Sequence, residues 1–184
     1  MSLQCCRKIH IFGSVASGKT TLAKKLSDSL EIPYYELDNM VWDREPSEDV
    51  RRSEIEREEI VQEIIGSDTW IVEGVHVGPW MRNSFREADV ILFLDLPYHQ
   101  RRSRLLSRFL KQKLKLEEVH YRPTLQILRN MFKWNKTFES GQRFTFLYES
   151  GVDLDKVVFV KNGKNLNKLI HNLRDAKQRC NGLR

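Results

Sequence analysis

Hydrophobic positions along the chain follow two periodicities. Five short segments rich in aliphatic and β-branched residues predict strands, and the longer segments between them carry apolar residues at helical spacing. The predicted strands are 8–12, 34–38, 69–73, 90–94 and 157–160. The predicted helices are 19–30, 48–65, 98–115, 124–138 and 165–177. Strands that alternate with helices predict an α/β fold with a parallel sheet.

The 184 residues are enough for one domain with a substantial core. No apolar run approaches the roughly 18 residues of a membrane span. The first residues lack the apolar stretch of a secretory signal, so we expect a cytoplasmic protein. The three cysteines, Cys5, Cys6 and Cys180, show no metal-binding spacing and are interpreted as reduced thiols without a role.

The stretch Gly13-Ser-Val-Ala-Ser-Gly18-Lys19-Thr20 fits the spacing G-x-x-x-x-G-K-[ST] between a predicted strand and a predicted helix. Glycines permit backbone angles that turn successive N–H groups inward, and a helix N-terminus favours an anion. We expect Lys19 to reach the β- and γ-phosphates of ATP and the Thr20 hydroxyl to ligate Mg²⁺. The loop residues expected to bind ATP are Gly13, Ser14, Ala16, Ser17, Gly18, Lys19, Thr20 and Thr21.

Acidic residues end three of the predicted strands. Glu36 and Asp38 end the second strand, where residues two apart share a face, and Glu73 ends the third. Ligands of open α/β sheets bind at the carboxyl ends of strands. We therefore expect Glu36 and Glu73 to hold Mg²⁺ together with Thr20, and Asp38 to orient or deprotonate the acceptor. Asp95 ends the fourth strand, where it can equally anchor the turn that follows.

The net charge of +6 leaves nucleic acid or phosphate-rich small molecules open as partners. Basic residues concentrate between 101 and 143. Arg101, Arg104 and Arg108 share one face of a predicted helix, and we expect Arg104 and Arg108 to brace ATP phosphates and act in catalysis with Lys19. The segment 111–143 is interpreted as a basic lid that closes over the triphosphate.

Aromatic residues follow the acids. Trp42 comes after Asp38, and His76 and Trp80 come after Glu73. Trp42 and His76 are predicted to line an acceptor site, while a purely structural packing role for the two tryptophans stays open. Gly74 belongs to the same predicted site, and Arg82 is expected to bind an anionic acceptor.

Together these pieces resemble the adenylate-kinase-like and shikimate-kinase-like P-loop kinases. The resemblance rests on five pieces: Gly13 to Thr20, Tyr35-Glu-Leu-Asp38 with Trp42, Trp70-Ile-Val-Glu-Gly74, Ala88 to Pro97, and Arg104-x-x-x-Arg108. It covers roughly the first 110 residues and is strongest with the bacterial proteins labelled topology-modulation or FlaR-like.

The resemblance implies five parallel strands in the order 2-3-1-4-5, with helices on both faces and a lid after strand four. Glu73-Gly74 is similar to the Asp-Gly of nucleotide kinases, which orders water around Mg²⁺. Glu36-x-Asp38 is similar to the Asp-x-Asp of shikimate kinases, whose second acid contacts the acceptor hydroxyl. Arg104 matches an arginine that lies over adenine, and Arg108 one that touches phosphates. The acceptor-specific motifs of both groups are missing.

Three functions are weighed on this basis. The first is a small-molecule kinase that transfers the γ-phosphoryl group of ATP to a hydroxyl or phosphate acceptor, acting as a monomer or homodimer. The second is a nucleic-acid-binding ATPase, although the basic segment lacks the interleaved aromatic residues of a single-strand platform. The third, a GTPase switch, is disfavoured because the sequence has no Asn-Lys-x-Asp guanine-reading motif.

Overall fold

The computed structural model describes residues 6–44, 49–76, 78–114, 116, 124–149, 151–161 and 166–181. Its strands are β1 Lys8–Gly13, β2 Tyr34–Glu36, β3 Trp42–Arg44, β4 Asp49–Arg51, β5 Trp70–Gly74, β6 Val90–Leu94 and β7 Val157–Val160. Its helices are α1 Lys19–Leu30, α2 Leu37–Val41, α3 Glu54–Ile65, α4 Arg82–Glu87, α5 Tyr98–Lys113, α6 Leu125–Thr137 and α7 Leu166–Asn181. None of the described helices combines the length and apolarity that crossing a bilayer requires.

Five of the strands form a parallel sheet in the order β2-β5-β1-β6-β7. This order differs from the predicted 2-3-1-4-5 in its numbering, because two further strands, β3 and β4, pair with each other outside the sheet. Strands β1, β5 and β6 are buried almost throughout, which explains why their sequences read as continuous apolar runs. The α/β fold with a five-stranded parallel sheet is therefore confirmed.

The two faces of the sheet carry separate cores. Alternate residues of β1 point to opposite faces, so Ile9 and Ile11 pack with α1 and α7, while Phe12 packs on the other side. There Phe12 stacks on Phe146 with ring centroids 3.9 Å apart. Helices α3 and α4 complete that second core. Helices therefore cover both faces, as the sequence predicts.

Two elements are shorter in the structure than the sequence predicts. A capping box precedes one of them, and a short helix replaces the end of the other. The helix predicted to begin at 48 begins at Glu54, after a capping box in which Ser53 and Glu56 exchange hydrogen bonds. The strand predicted over 34–38 ends at Glu36, and α2 begins at Leu37. Glu36 and Asp38 therefore do not share one face of a strand, and that expectation is wrong.

The β3–β4 hairpin was missed because its strands are three residues long and mostly polar. Arg52 holds it in place by donating hydrogen bonds to the backbone oxygens of Asn39 (2.8 Å) and Trp42 (3.1 Å). The same guanidinium forms an ion pair with Asp43 at 2.7 Å. Arg52 thus joins the hairpin to the end of α2.

Candidate active site

The Gly13–Thr20 loop runs from the end of β1 into the first turn of α1. A Cβ at Gly13 would lie 2.9 Å from Ser17 Oγ and 3.0 Å from the Leu94 carbonyl oxygen, so the position has no room for a side chain. Gly18 has φ 97° and Ala16 has φ 59°, both in the left-handed region. For Ala16 this conformation costs on the order of 1 kcal/mol, as is common at functional sites. Left-handed residues within such a loop form the anion-binding concavity known as a nest.

Lys19 and Thr20 connect the loop to its surroundings. Lys19 Nζ donates to the Ser14 carbonyl oxygen at 3.1 Å, which holds the ammonium group over the loop. Thr20 Oγ1 donates to Glu73 Oε1 at 2.6 Å. The structure therefore brings together Glu73, at the end of β5, and the last residue of the motif.

Glu73 is buried next to the loop, with 5% of its surface exposed. Burial raises the pKa of its carboxyl above the usual value, and the charges of Glu36 and Asp38 push the pKa in the same direction. The Lys19 charge and the Thr20 hydrogen bond oppose this rise. Glu36, opposite Glu73 in the β2–β5 register, and Asp38 are thus electrostatically coupled to Glu73.

These oxygen atoms fit a magnesium ion that arrives with a triphosphate. Mg²⁺ bound in this way needs only one or two protein oxygens, because phosphates and water supply the rest. The Thr20 hydroxyl and the Glu73 carboxylate are hard oxygen ligands within 2.6 Å of each other. Within the described residues, no cluster of three or more His, Cys, Asp or Glu side chains forms a self-sufficient metal site. The arrangement suits a nucleotide-borne cation rather than a resident one.

Two helices hold the loop from outside. Arg104 Nη1 of α5 donates to the Ser17 carbonyl oxygen at 3.1 Å. From α6, Asn135 accepts a hydrogen bond from Ser14 Oγ at 3.1 Å, and both side chains are buried. The sequence analysis missed Asn135. The sequence does carry a signal for Asn135, which is a polar residue within the stripe of apolar residues that runs along α6 and continues to Phe138.

The three arginines of α5 have different environments, although they share a helical face. Arg101 is buried at 1% exposure, where it pairs with Glu139 and lies over the Phe138 ring. It therefore anchors the segment after α6. Arg104 and Arg108 are exposed. Their expected contacts with adenine and phosphates stay predictions.

Asp95, after β6, pairs with Arg143 at 2.9 Å. This ion pair joins the end of β6 to the segment after α6, and the role of Asp95 in the turn that follows it stays a prediction. The described part of the predicted lid includes Leu125–Thr137 and the helical turn Phe138–Gln142. Its buried Phe138 packs against Phe12 and Phe93 of the sheet. Residue 115 and the stretch 117–123 of that lid lie outside the described residues. Closure of the lid over a nucleotide stays a prediction.

The predicted acceptor residues Asp38 and His76 contact each other. His76 Nε2 lies 3.1 Å from Asp38 Oδ1, and the His76 ring lies 5.9 Å from the Trp80 ring. Gly74 leaves room for the side chain of Leu37, because a Cβ at Gly74 would lie 2.6 Å from Leu37 Cδ1. Leu37 packs against the end of β5 and holds the neighbouring Asp38 beside it.

The other two predicted acceptor residues lie on the surface. Trp42 begins β3 with 36% of its surface exposed, and Arg82 is exposed at the start of α4. Arg57 lies 5.3 Å over the Trp80 ring. Trp80 is 5% exposed and is therefore part of the core as well as a neighbour of His76. Acceptor contacts of Trp42 and Arg82 stay predictions.

Solved structures with a similar fold include a sugar kinase from Janibacter sp. HTCC2649. It is 14% identical, covers 96% of this chain and 97% of its own, and has a TM-score of 0.54. A gluconokinase from Sinorhizobium meliloti 1021 is 13% identical, covers 98% of this chain and 95% of its own, and has a TM-score of 0.50. The chain shares the fold of these two kinases.

Identities this low establish the fold alone. A shikimate kinase from Aquifex aeolicus is also similar, at 18% identity, 95% coverage of this chain, 98% of its own and a TM-score of 0.46. No family model and no curated protein sequence matches this chain. What the fold does in this protein is therefore inferred from its side chains.

Proposed function

We propose that this protein is an ATP-dependent kinase that transfers the γ-phosphoryl group to a hydroxyl or phosphate group of a small molecule. The observation that carries the proposal is the Thr20–Glu73 hydrogen bond of 2.6 Å beside a glycine loop that contains Lys19. This contact supports the proposal because two oxygens that suit Mg²⁺ lie beside the loop that would bind the phosphates. The remaining acidic residues lie next to them, where an acceptor would approach.

The residues of the site suit phosphoryl transfer. Lys19 balances negative charge on the β- and γ-phosphates, and Arg104 and Arg108 add positive charge from α5. Thr20 and Glu73, with Glu36 farther away, would hold Mg²⁺, which would neutralise charge on the transferred group when bound. Asp38 stands on the acceptor side. A lid formed from 111–143 would exclude water, which otherwise competes as acceptor.

The finer expectations are part of this proposal. We place the chain near the topology-modulation proteins on the five sequence pieces given above, with a cytoplasmic location and a monomeric or homodimeric state. The similar solved structures are named as kinases of small molecules, which supports a small-molecule acceptor here. They give no support to the alternative of a nucleic-acid-binding ATPase.

Phosphoryl transfer from radiolabelled ATP with Mg²⁺ to a panel of small molecules tests the proposal. We expect transfer by the wild type and a loss of roughly 10²–10³-fold in kcat for Lys19→Met, which keeps the chain length and removes the charge. Lys24→Met, an exposed position on the same helix, is the matched control and should act like the wild type. If no acceptor is labelled and Lys19→Met and the wild type release ADP equally, the proposal is wrong.

A further inference from the structure

Asp38 and His76 form a hydrogen-bonded pair with a defined polarity. An ionised carboxylate can only accept a hydrogen bond, so the His76 Nε2 that lies 3.1 Å from Asp38 Oδ1 must carry the hydrogen. In the neutral imidazole the lone pair is then on Nδ1. The Asp38 carboxylate therefore fixes both the ring orientation and the tautomer, and it leaves Nδ1 as the basic atom.

The pair lies close to Glu73, because the Asp38 charge acts on the Glu73 carboxyl. His76 comes three residues after Glu73, whose carboxylate bonds Thr20. Asp38 comes directly after Leu37, which fills the space that Gly74 leaves open. The end of β5 therefore connects His76 to Glu73, and Glu73 is hydrogen-bonded to Thr20 of the Gly13–Thr20 loop.

The pair suits a hydroxyl acceptor better than a phosphate acceptor. A hydroxyl group must lose a proton as its oxygen attacks phosphorus, so it needs a base, whereas a phosphate acceptor is already ionised and needs none.

Two arginines beside Trp42 and Trp80 are engaged by the protein itself. Arg57 donates to the Ser53 carbonyl oxygen at 3.1 Å and lies over Trp80. Arg52 is bound to Asp43 and to backbone oxygens. Arg82, in the first turn of α4, is exposed. The acceptor panels below test whether it recruits an anion.

We infer that the acceptor is a small molecule that reacts through a hydroxyl group and that His76, oriented by Asp38, is the base that takes its proton. This inference rests on the proposed kinase function. The acceptor oxygen forms a bond to the γ-phosphorus, and its proton passes to His76 Nδ1. The bond between the γ-phosphorus and the β–γ bridging oxygen breaks, and its electron pair leaves with ADP. His76 is thus a catalytic residue, and Asp38 is a positioning residue.

Two matched panels of acceptors separate this inference from the proposed function. One contains neutral sugars, polyols and nucleosides, and the other contains phosphate monoesters of the same compounds. We expect transfer from ATP to members of the neutral panel. Transfer confined to the monoesters would overturn the hydroxyl inference while leaving the kinase assignment in place. Transfer to neither panel would overturn the kinase assignment itself.

Variants then test His76 on the neutral acceptor that reacts. His76→Gln keeps a donor for Asp38 but has no base, so kcat should fall roughly 10²-fold or more while the KM for ATP stays within about twofold. Adding imidazole to His76→Ala should restore part of the rate, which a purely structural role would not allow. His171→Gln is the matched control, because His171 pairs with Asp175 at the same 3.1 Å on the surface of α7. A kcat for His76→Gln within twofold of the wild type would overturn the role of His76.

Discussion

The buried His10 makes the stability of the fold depend on pH. Ser84 Oγ donates to the Met81 carbonyl oxygen at 2.9 Å, so it can only accept from His10 Nδ1, 3.2 Å away. The lone pair is then on Nε2, which has no hydrogen-bond partner within the described residues. Protonation would place an uncompensated charge beside the Phe85 ring, 4.4 Å away. Burial accordingly lowers the pKa of His10 from 6.5 to about 3.

A lowered histidine pKa means that the unfolded chain binds the proton more readily than the fold does. The stabilisation by the neutral ring is therefore complete above pH 6.5 and is lost as the pH falls towards 3. With pKa values of 6.5 and about 3, the free energy of unfolding falls by about 2 kcal/mol between pH 7 and pH 5. At a typical urea dependence this corresponds to a midpoint lower by about 1 M.

Urea unfolding at pH 7 and pH 5 measures this effect by comparing the wild type with His10→Asn. Asparagine can still donate to Ser84 but does not titrate, so subtracting its pH dependence removes the contribution of every other group, including that of Glu73. His171→Gln, at an exposed histidine, should keep the full wild-type dependence. Equal pH dependence in the wild type and His10→Asn would refute the reasoning.

Two further substitutions test the packing that positions the site. Gly74→Ala should lower the free energy of unfolding by about 1–3 kcal/mol, because its Cβ would overlap Leu37, and should raise the KM for the acceptor. Urea unfolding and steady-state kinetics measure the two effects. Gly141→Ala is the neutral control, because a Cβ there would meet nothing within 4 Å. Phe146→Ala should cost about 3–5 kcal/mol in the free energy of urea unfolding, because the ring is fully buried and stacks on Phe12. A loss below about 1 kcal/mol for either substitution would contradict the packing described.

The Gly13–Thr20 loop between a strand and a helix, and the sheet itself, were predictable because both depend on local sequence. Gly13, Gly18, Lys19 and Thr20 lie within eight residues, and a strand and a helix flank them. The buried strands read as continuous apolar runs. These signals depend on short-range backbone geometry and on burial, which a single sequence encodes directly.

The contacts that build the rest of the site join distant residues, and no local pattern encodes them. Ser14 and Asn135 are 121 residues apart, and Asp38 and His76 are 38 apart. The wrong end of the second predicted strand has a similar cause. Leu37 leaves the strand to fill the space over Gly74, which is a tertiary contact that overrides local preference.

The central claim is that the loop from Gly13 to Thr20 binds the phosphates of a nucleotide. Calorimetric titration with a non-hydrolysable ATP analogue and Mg²⁺ tests it most directly. We predict saturable binding by the wild type and by Lys24→Met, and a dissociation constant about 10–100-fold higher for Lys19→Met, which loses a charge-assisted hydrogen bond. No heat of binding with the wild type, or equal affinity in Lys19→Met, would contradict the claim.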